Sequence, residues 1–276
     1  MPRHSFPTAQ PIDLVINNRY GDITVHASDS DTTIVSTVGR HADDLEVVQQ
    51  GNLITAAARS LSVAEQAFER RRRIDIAVEA PVGSNLKLDC GAGTITVTGP
   101  FNQVEARLGA GRITLSQVLG EIRVRDSSGN IRIDEVAAIA RLTTSAGTIT
   151  VGRVLAETEL KVGSGSVDLD EVAAPTHISL NNGSLNVHLV TGELTVDAGV
   201  GHAAIDRISA GSLTYRGASG TVRVGVVAGV PVWTDLRTTA GRVHNGLPPV
   251  GEPQPGQDHI SLRIATQSGA IDLIPA

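Results

Sequence analysis

A glycine stands at positions 93, 111, 129, 147, 165, 183 and 201, and every step between neighbours is 18 residues. A short phrase travels with it: Ala92-Gly93-Thr94-Ile95-Thr96-Val97, Ala110-Gly111-Arg112-Ile113-Thr114-Leu115, Ser128-Gly129-Asn130-Ile131-Arg132-Ile133 and Ala146-Gly147-Thr148-Ile149-Thr150-Val151. It continues at Ser164-Gly165-Ser166-Val167-Asp168-Leu169 and Asn182-Gly183-Ser184-Leu185-Asn186-Val187, and weakens around Gly201. A fixed short period of alternating, β-type phrases marks a solenoid, because each repeat can bury its apolar face only against its neighbours.

Within the period, apolar residues fall two and four positions after each glycine, then seven after it at Val118, Val136, Val154, Val172, Val190 and Ile208. A second alternating set follows at eleven and thirteen, as in Val104 and Ala106 or Ile122 and Val124. Each coil is therefore read as two short strands separated by turns, with a valine or isoleucine plugging the corner. Only 2% of the residues are aromatic against 41% in the wider hydrophobic class, which suits a thin interior built of Val, Ile, Leu and Ala. The expected fold is all-β: a single-stranded parallel β-solenoid (β-helix) with 18-residue coils, right-handed. The absence of a strict six-residue repeat argues against the left-handed hexapeptide form.

Two regions are expected. Residues 1–85 read as irregular β coils that cap the open end, with strands near Ile12 to Ile16, Tyr20 to Val25, Thr33 to Val38, Leu45 to Val48, Leu53 to Ala57 and Ile74 to Val78. Ser62 and Glu65 have capping-box spacing and predict a short helix to Arg70, ahead of the run Arg70-Arg71-Arg72-Arg73, which reads as a solvated segment. Residues 86–276 read as the regular solenoid. Its period loosens to Gly220, Gly241 and Gly269, and the last insertion holds a proline-rich loop at 247–256. The final phrase, Ser268-Gly269-Ala270-Ile271-Asp272-Leu273, is expected to leave an unpaired strand edge open to self-association.

No catalytic, metal or cofactor site is expected. The formal net charge of −6 gives no electrostatic case for nucleic acid. The single cysteine, Cys90, falls at an inward position and reads as a buried hydrophobe. The eight histidines are scattered without ligand spacing. Carboxylates recur at one corner as Asp134-Glu135, Asp170-Glu171 and Asp206, but no sugar-stacking aromatics accompany them. The outward positions of the opposite strand carry Arg107, Arg123, Arg125, Arg141 and Lys161 among Glu105 and Glu159, a mildly basic stripe suited to docking a protein or an anionic polymer. No apolar run has the length of a membrane span and the N-terminus has no signal-like core, so the expected setting is the cytoplasm.

Three stretches carry a family resemblance: Glu79-Ala80-Pro81-Val82-Gly83-Ser84, the repeated Ala/Ser-Gly-x-Ile-x-Val phrase, and Gly229-Val230-Pro231-Val232-Trp233-Thr234-Asp235-Leu236 followed by Ala240-Gly241-Arg242-Val243. From about Ile12 onward the chain resembles the bacterial putative-adhesin family, β-solenoid domains of unknown function, and is similar to its cytoplasmic actinobacterial members. The resemblance implies a solenoid and no reaction. The functional expectation is a non-catalytic scaffold or binding module that engages another protein or a second copy of itself, with no small-molecule ligand. The alternative is a carbohydrate-binding or carbohydrate-cleaving β-helix.

Overall fold

A computed structural model describes residues 2–58, 73–248 and 259–276. The helix expected over 62–70, Arg70 to Arg72 and most of the proline-rich loop lie outside these residues. The chain divides into two compact units, Met1–Ala138 and Ile139–Ala276. Both are built of strands; among the described residues the one helical piece is a 3-10 turn, Ala42–Asp44.

The first unit contains β1 (Arg3–Pro7), β2 (Asp13–Tyr20), β3 (Ile23–Ser28), β4 (Thr32–Val38), β5 (Leu45–Gln50), β6 (Leu53–Ala58), β7 (Asp75–Pro81), β8 (Asn85–Thr98), β9 (Gln103–Leu115) and β10 (Ile122–Val136). Strands β8, β9 and β10 stack in parallel with Gly93 on Gly111 on Gly129. Ile95, Ile113 and Ile131 form one buried ladder, and Leu86, Val104 and Ile122 form another. Strands β2 and β3 stack in parallel on the two halves of β8. The coil beyond them is made by β6 on β2 and β7 on β3. Then β5 joins β6, β4 joins β7 and β1 joins β4, all antiparallel. The chain thus steps out past its own next coil and returns to fill it. Strand β1, whose sequence Arg-His-Ser-Phe-Pro gave no alternation signal, was not foreseen.

The second unit contains β11 (Ala140–Val154), β12 (Thr158–Val172), β13 (Thr176–Val190), β14 (Glu193–Ile208), β15 (Ser212–Val226), β16 (Val232–Asn245) and β17 (Ile260–Pro275). Strands β11 to β15 stack in chain order, in parallel. The last two exchange places. Strand β17 pairs with β15 on one side and β16 on the other, so β16 is the terminal coil. The expected free edge at residues 268–273 is therefore corrected: that segment is enclosed on both sides, with Ile271 and Leu273 fully buried.

A second correction concerns the coil itself. The two expected short strands run as one extended stretch of 13 to 16 residues through the repeat glycine. The reason is visible at Gly111 and Gly183, whose φ values are +137° and +144°. A Cβ at Gly111 would overlap the Gly93 carbonyl oxygen, and one at Gly183 would overlap that of Gly165. The glycine bends the strand while its backbone lies directly on the coil below, so the ladder continues through the bend instead of breaking into a turn.

Candidate functional site

Strand alternation sends every second residue outward, and register stacks those residues into columns spaced by about 4.8 Å, the ordinary inter-strand distance. In the first unit one column reads Lys87, Glu105, Arg123 and the next reads Asp89, Arg107, Arg125. Arg107 places Nη2 2.6 Å from Glu105 Oε1 and Nε 3.9 Å from Asp89 Oδ1. Arg123 Nε lies 2.8 Å from Glu121 Oε1. Arg125 is exposed and makes no ion pair among the described residues.

In the second unit one column reads Arg141, Glu159, His177, Thr195, Thr214, Arg263, Asp235. Its neighbour reads Thr143, Lys161, Ser179, Asp197, Arg216, Ala265, Arg237. Lys161 Nζ sits 2.6 Å from Glu159 Oε1, and Arg141 Nε sits 3.5 Å from Glu159 Oε2. The hydrogen bond from Lys161 holds the Glu159 carboxyl below the usual carboxylate range. Asp197 receives His177 and Arg216, both at 3.6 Å, and Asp235 receives Arg237 at 2.7 Å and Arg263 at 3.8 Å.

The five basic residues singled out from the sequence thus divide, with Arg107, Arg123 and Arg125 on the first unit and Arg141 and Lys161 on the second. All except Arg125 stand beside carboxylates, which gives a face of alternating sign. Two of the corner carboxylates are likewise engaged, Asp134 with Arg132 at 3.5 Å and Asp206 with His188 at 3.1 Å.

A shallow depression of about 260 Å³ in the second unit is bordered by Glu157, Glu159, His177 and Glu193. Its Glu159 and His177 are already committed to the ion pairs above. Among the described residues no group of three His, Cys, Asp or Glu side chains is placed to hold a metal ion. No described helix is long and apolar enough to cross a membrane. Cys90 is buried, donates to the Gly21 carbonyl oxygen at 3.4 Å, and burial pushes its thiol up to about 11.

Sequence reasoning missed the terminal coil. Strand β16 leaves Trp233 46% and Val243 44% exposed, although Val243 lies in register with the fully buried Ile271. The Arg263 guanidinium lies 5.6 Å from the Trp233 ring centroid. Val226, Val232, Thr234, Asn245, Leu247 and Pro275 are among the residues that border a cavity of about 290 Å³ of mixed polar and apolar lining. The signal was present in the inward positions, where Thr234, Leu236, Val243 and Asn245 of β16 are more polar than Leu262, Ile264, Ile271 and Leu273 of β17.

Parallel coils stacked in glycine register around an aliphatic interior define a β-solenoid protein. The chain belongs to the Toastrack DUF4097 family, whose match spans residues 12–273. No curated protein matches it. Among solved structures it is similar to a "putative lipid binding protein" from Parabacteroides distasonis ATCC 8503, with 15% identity and a TM-score of 0.49 over 99% of this chain and 96% of that one. It is also similar to a "putative adhesin" from Bacteroides fragilis NCTC 9343, with 12% identity and a TM-score of 0.41 over 99% and 96%.

Proposed function

We propose that this protein is a non-catalytic binding scaffold whose charged outward columns dock another protein. One observation carries the reading: the buried ladder Ile149, Val167, Leu185, Ala203 stays aliphatic from coil to coil while the outward columns change sign at a fixed spacing. Such a face offers many weak, regularly placed contacts and no convergent acid, base and nucleophile. Arg125 is the anchor on the first unit, because it meets a carboxylate without first giving one up. The setting is the cytoplasm, as for the actinobacterial proteins that the sequence resembles, and fractionation of host cells tests that placement.

The docking reading is tested by capture from host lysate with the wild-type chain and with an Arg123→Glu/Arg125→Glu variant. Both substitutions are exposed and leave the buried ladders intact, so folding is retained. A partner recovered by the wild type and lost by the variant is expected. Identical recovery by both, or recovery of nothing by either, overturns the reading.

A further inference from the structure

We propose that β16 is a self-recognition edge, and that two copies of this chain pair antiparallel along it about a two-fold axis at Leu236. This inference stands apart from the docking role of the charged columns and does not rest on it. The argument begins with strand order. Among the described residues β16 pairs with β17 alone, so one row of its backbone donors and acceptors has no strand beside it. A flat free edge of this kind is a template for another strand unless it is blunted by proline, a bulge or inward charge. From Val232 to Asn245 β16 contains no proline, its register with β17 runs without a shift, and its inward positions carry Thr234, Leu236 and Val243.

The sequence of the edge then selects the occupant. Trp233-Thr234-Asp235-Leu236-Arg237-Thr238-Thr239 is self-complementary about its centre. When two copies run antiparallel with Leu236 facing Leu236, Asp235 of each faces Arg237 of the other. Thr234 faces Thr238, and Trp233 faces Thr239. Opposite charges and paired threonines directly across an antiparallel pair are favourable contacts, contributing about 0.2–1 kcal/mol each. Asp235 and Arg237 already lie 2.7 Å apart within one chain, both on the outward side. The pairing therefore exchanges one partner for its equivalent without burying an unpaired charge.

A head-to-tail stack of parallel coils is not the better alternative. In the first unit β5 pairs only with β6 among the described residues and runs antiparallel to the coils, while β1 pairs only with β4 and, being antiparallel to a strand that is itself antiparallel to β7, runs with the coils for just five residues ending at Pro7. Neither offers an edge that continues the parallel register along the 14 residues of β16.

A single-strand contact is small, so its dissociation constant should lie in the micromolar range, about 1–100 µM. Sedimentation velocity of the full chain across that range is expected to show a monomer–dimer equilibrium. Arg237→Asp places two carboxylates opposite each other and should weaken the dimer at least tenfold, whereas Asp235→Arg/Arg237→Asp restores opposite signs and should recover it. Leu236→Cys provides an independent reading. Residues facing each other at the centre of an antiparallel pair have Cα atoms about 4.5–5.5 Å apart, within reach of a disulfide. Mild oxidation should therefore give a covalent dimer, and the buried Cys90 does not compete. A wild type that stays monomeric throughout overturns the proposal. So does a dimer indifferent to Arg237→Asp, or one that Leu236→Cys fails to cross-link.

Discussion

Gly183 shows how a single residue type can be required twice over. Its φ of +144° disfavours any side chain, and a Cβ would also enter the carbonyl oxygen of Gly165. Gly51 has a φ of +61° but nothing within 4 Å of a would-be Cβ, so it meets only the first requirement. Gly51→Ala should cost about 1–2 kcal/mol, the ordinary left-handed penalty. Gly183→Ala should exceed about 4 kcal/mol, because the backbone itself must move. Urea denaturation of the two variants separates these values, and equal losses would mean that close coil approach is not what the glycine column serves. Cys90 gives the pH-dependent counterpart. Burial raises its thiol from the ordinary 9.0 to about 11, so the unfolded chain releases this proton first as pH rises. The contribution is fully present below pH 9 and is lost between 9 and 11, an effect of about 2–3 kcal/mol at most. Cys90→Ala should flatten the fall in stability across that window. The native thiol should also resist alkylation at pH 8 and react once the chain is unfolded.

Strands β16 and β17 carry the main lesson at the level of elements. The 18-residue spacing made the coils legible, since a period fixes which residues face inward: Ile95, Ile113, Ile131 and Ile149 are expected in one inward ladder, and all four are buried, with Ile95, Ile113 and Ile131 stacked in the first unit and Ile149 on Val167 in the second. Spacing says nothing about spatial order once an insertion is long enough to let the chain pass over a coil. The step from Gly241 to Gly269 is 28 residues, ten more than the period, and the chain uses it to seat β17 directly on β15. The N-terminal region escaped for the same reason, because β4 and β5 intervene before β6 and β7 complete the coil next to β2 and β3. The charged columns were only half legible: the basic residues were identified from alternation, but their carboxylate partners depend on register. Charge insertion tests the exchanged order. Ile271→Asp puts a carboxylate between β15 and β16 and should cost more than about 4 kcal/mol. Val243→Asp, at the 44% exposed position beside it, should cost less than about 1 kcal/mol. The opposite ranking would mean that β16 is the enclosed strand.

For the molecule as a whole, stability in a solenoid is a sum of coil and nearest-neighbour terms, so position in the stack matters as much as composition. Within the second unit β13 has a coil on each side, β12 and β14, while β16 has one neighbour, β17. Removing β16 breaks one interface and releases a strand whose own Trp233 and Val243 are already half in water; removing β13 breaks two interfaces and opens buried ladders on both sides. Local opening should therefore begin at β16 and reach β13 last. Native-state hydrogen exchange measures this ordering amide by amide. Protection in β13 should approach the full stability of its unit, on the order of 5–15 kcal/mol, while β16 amides bonded to β17 should exchange through openings of only a few kcal/mol. Amides of β16 on the free edge should exchange fastest in dilute solution, where chains do not meet. Uniform protection from β11 to β17 would show instead that the unit opens as one block, and that an exposed end coil carries no local instability.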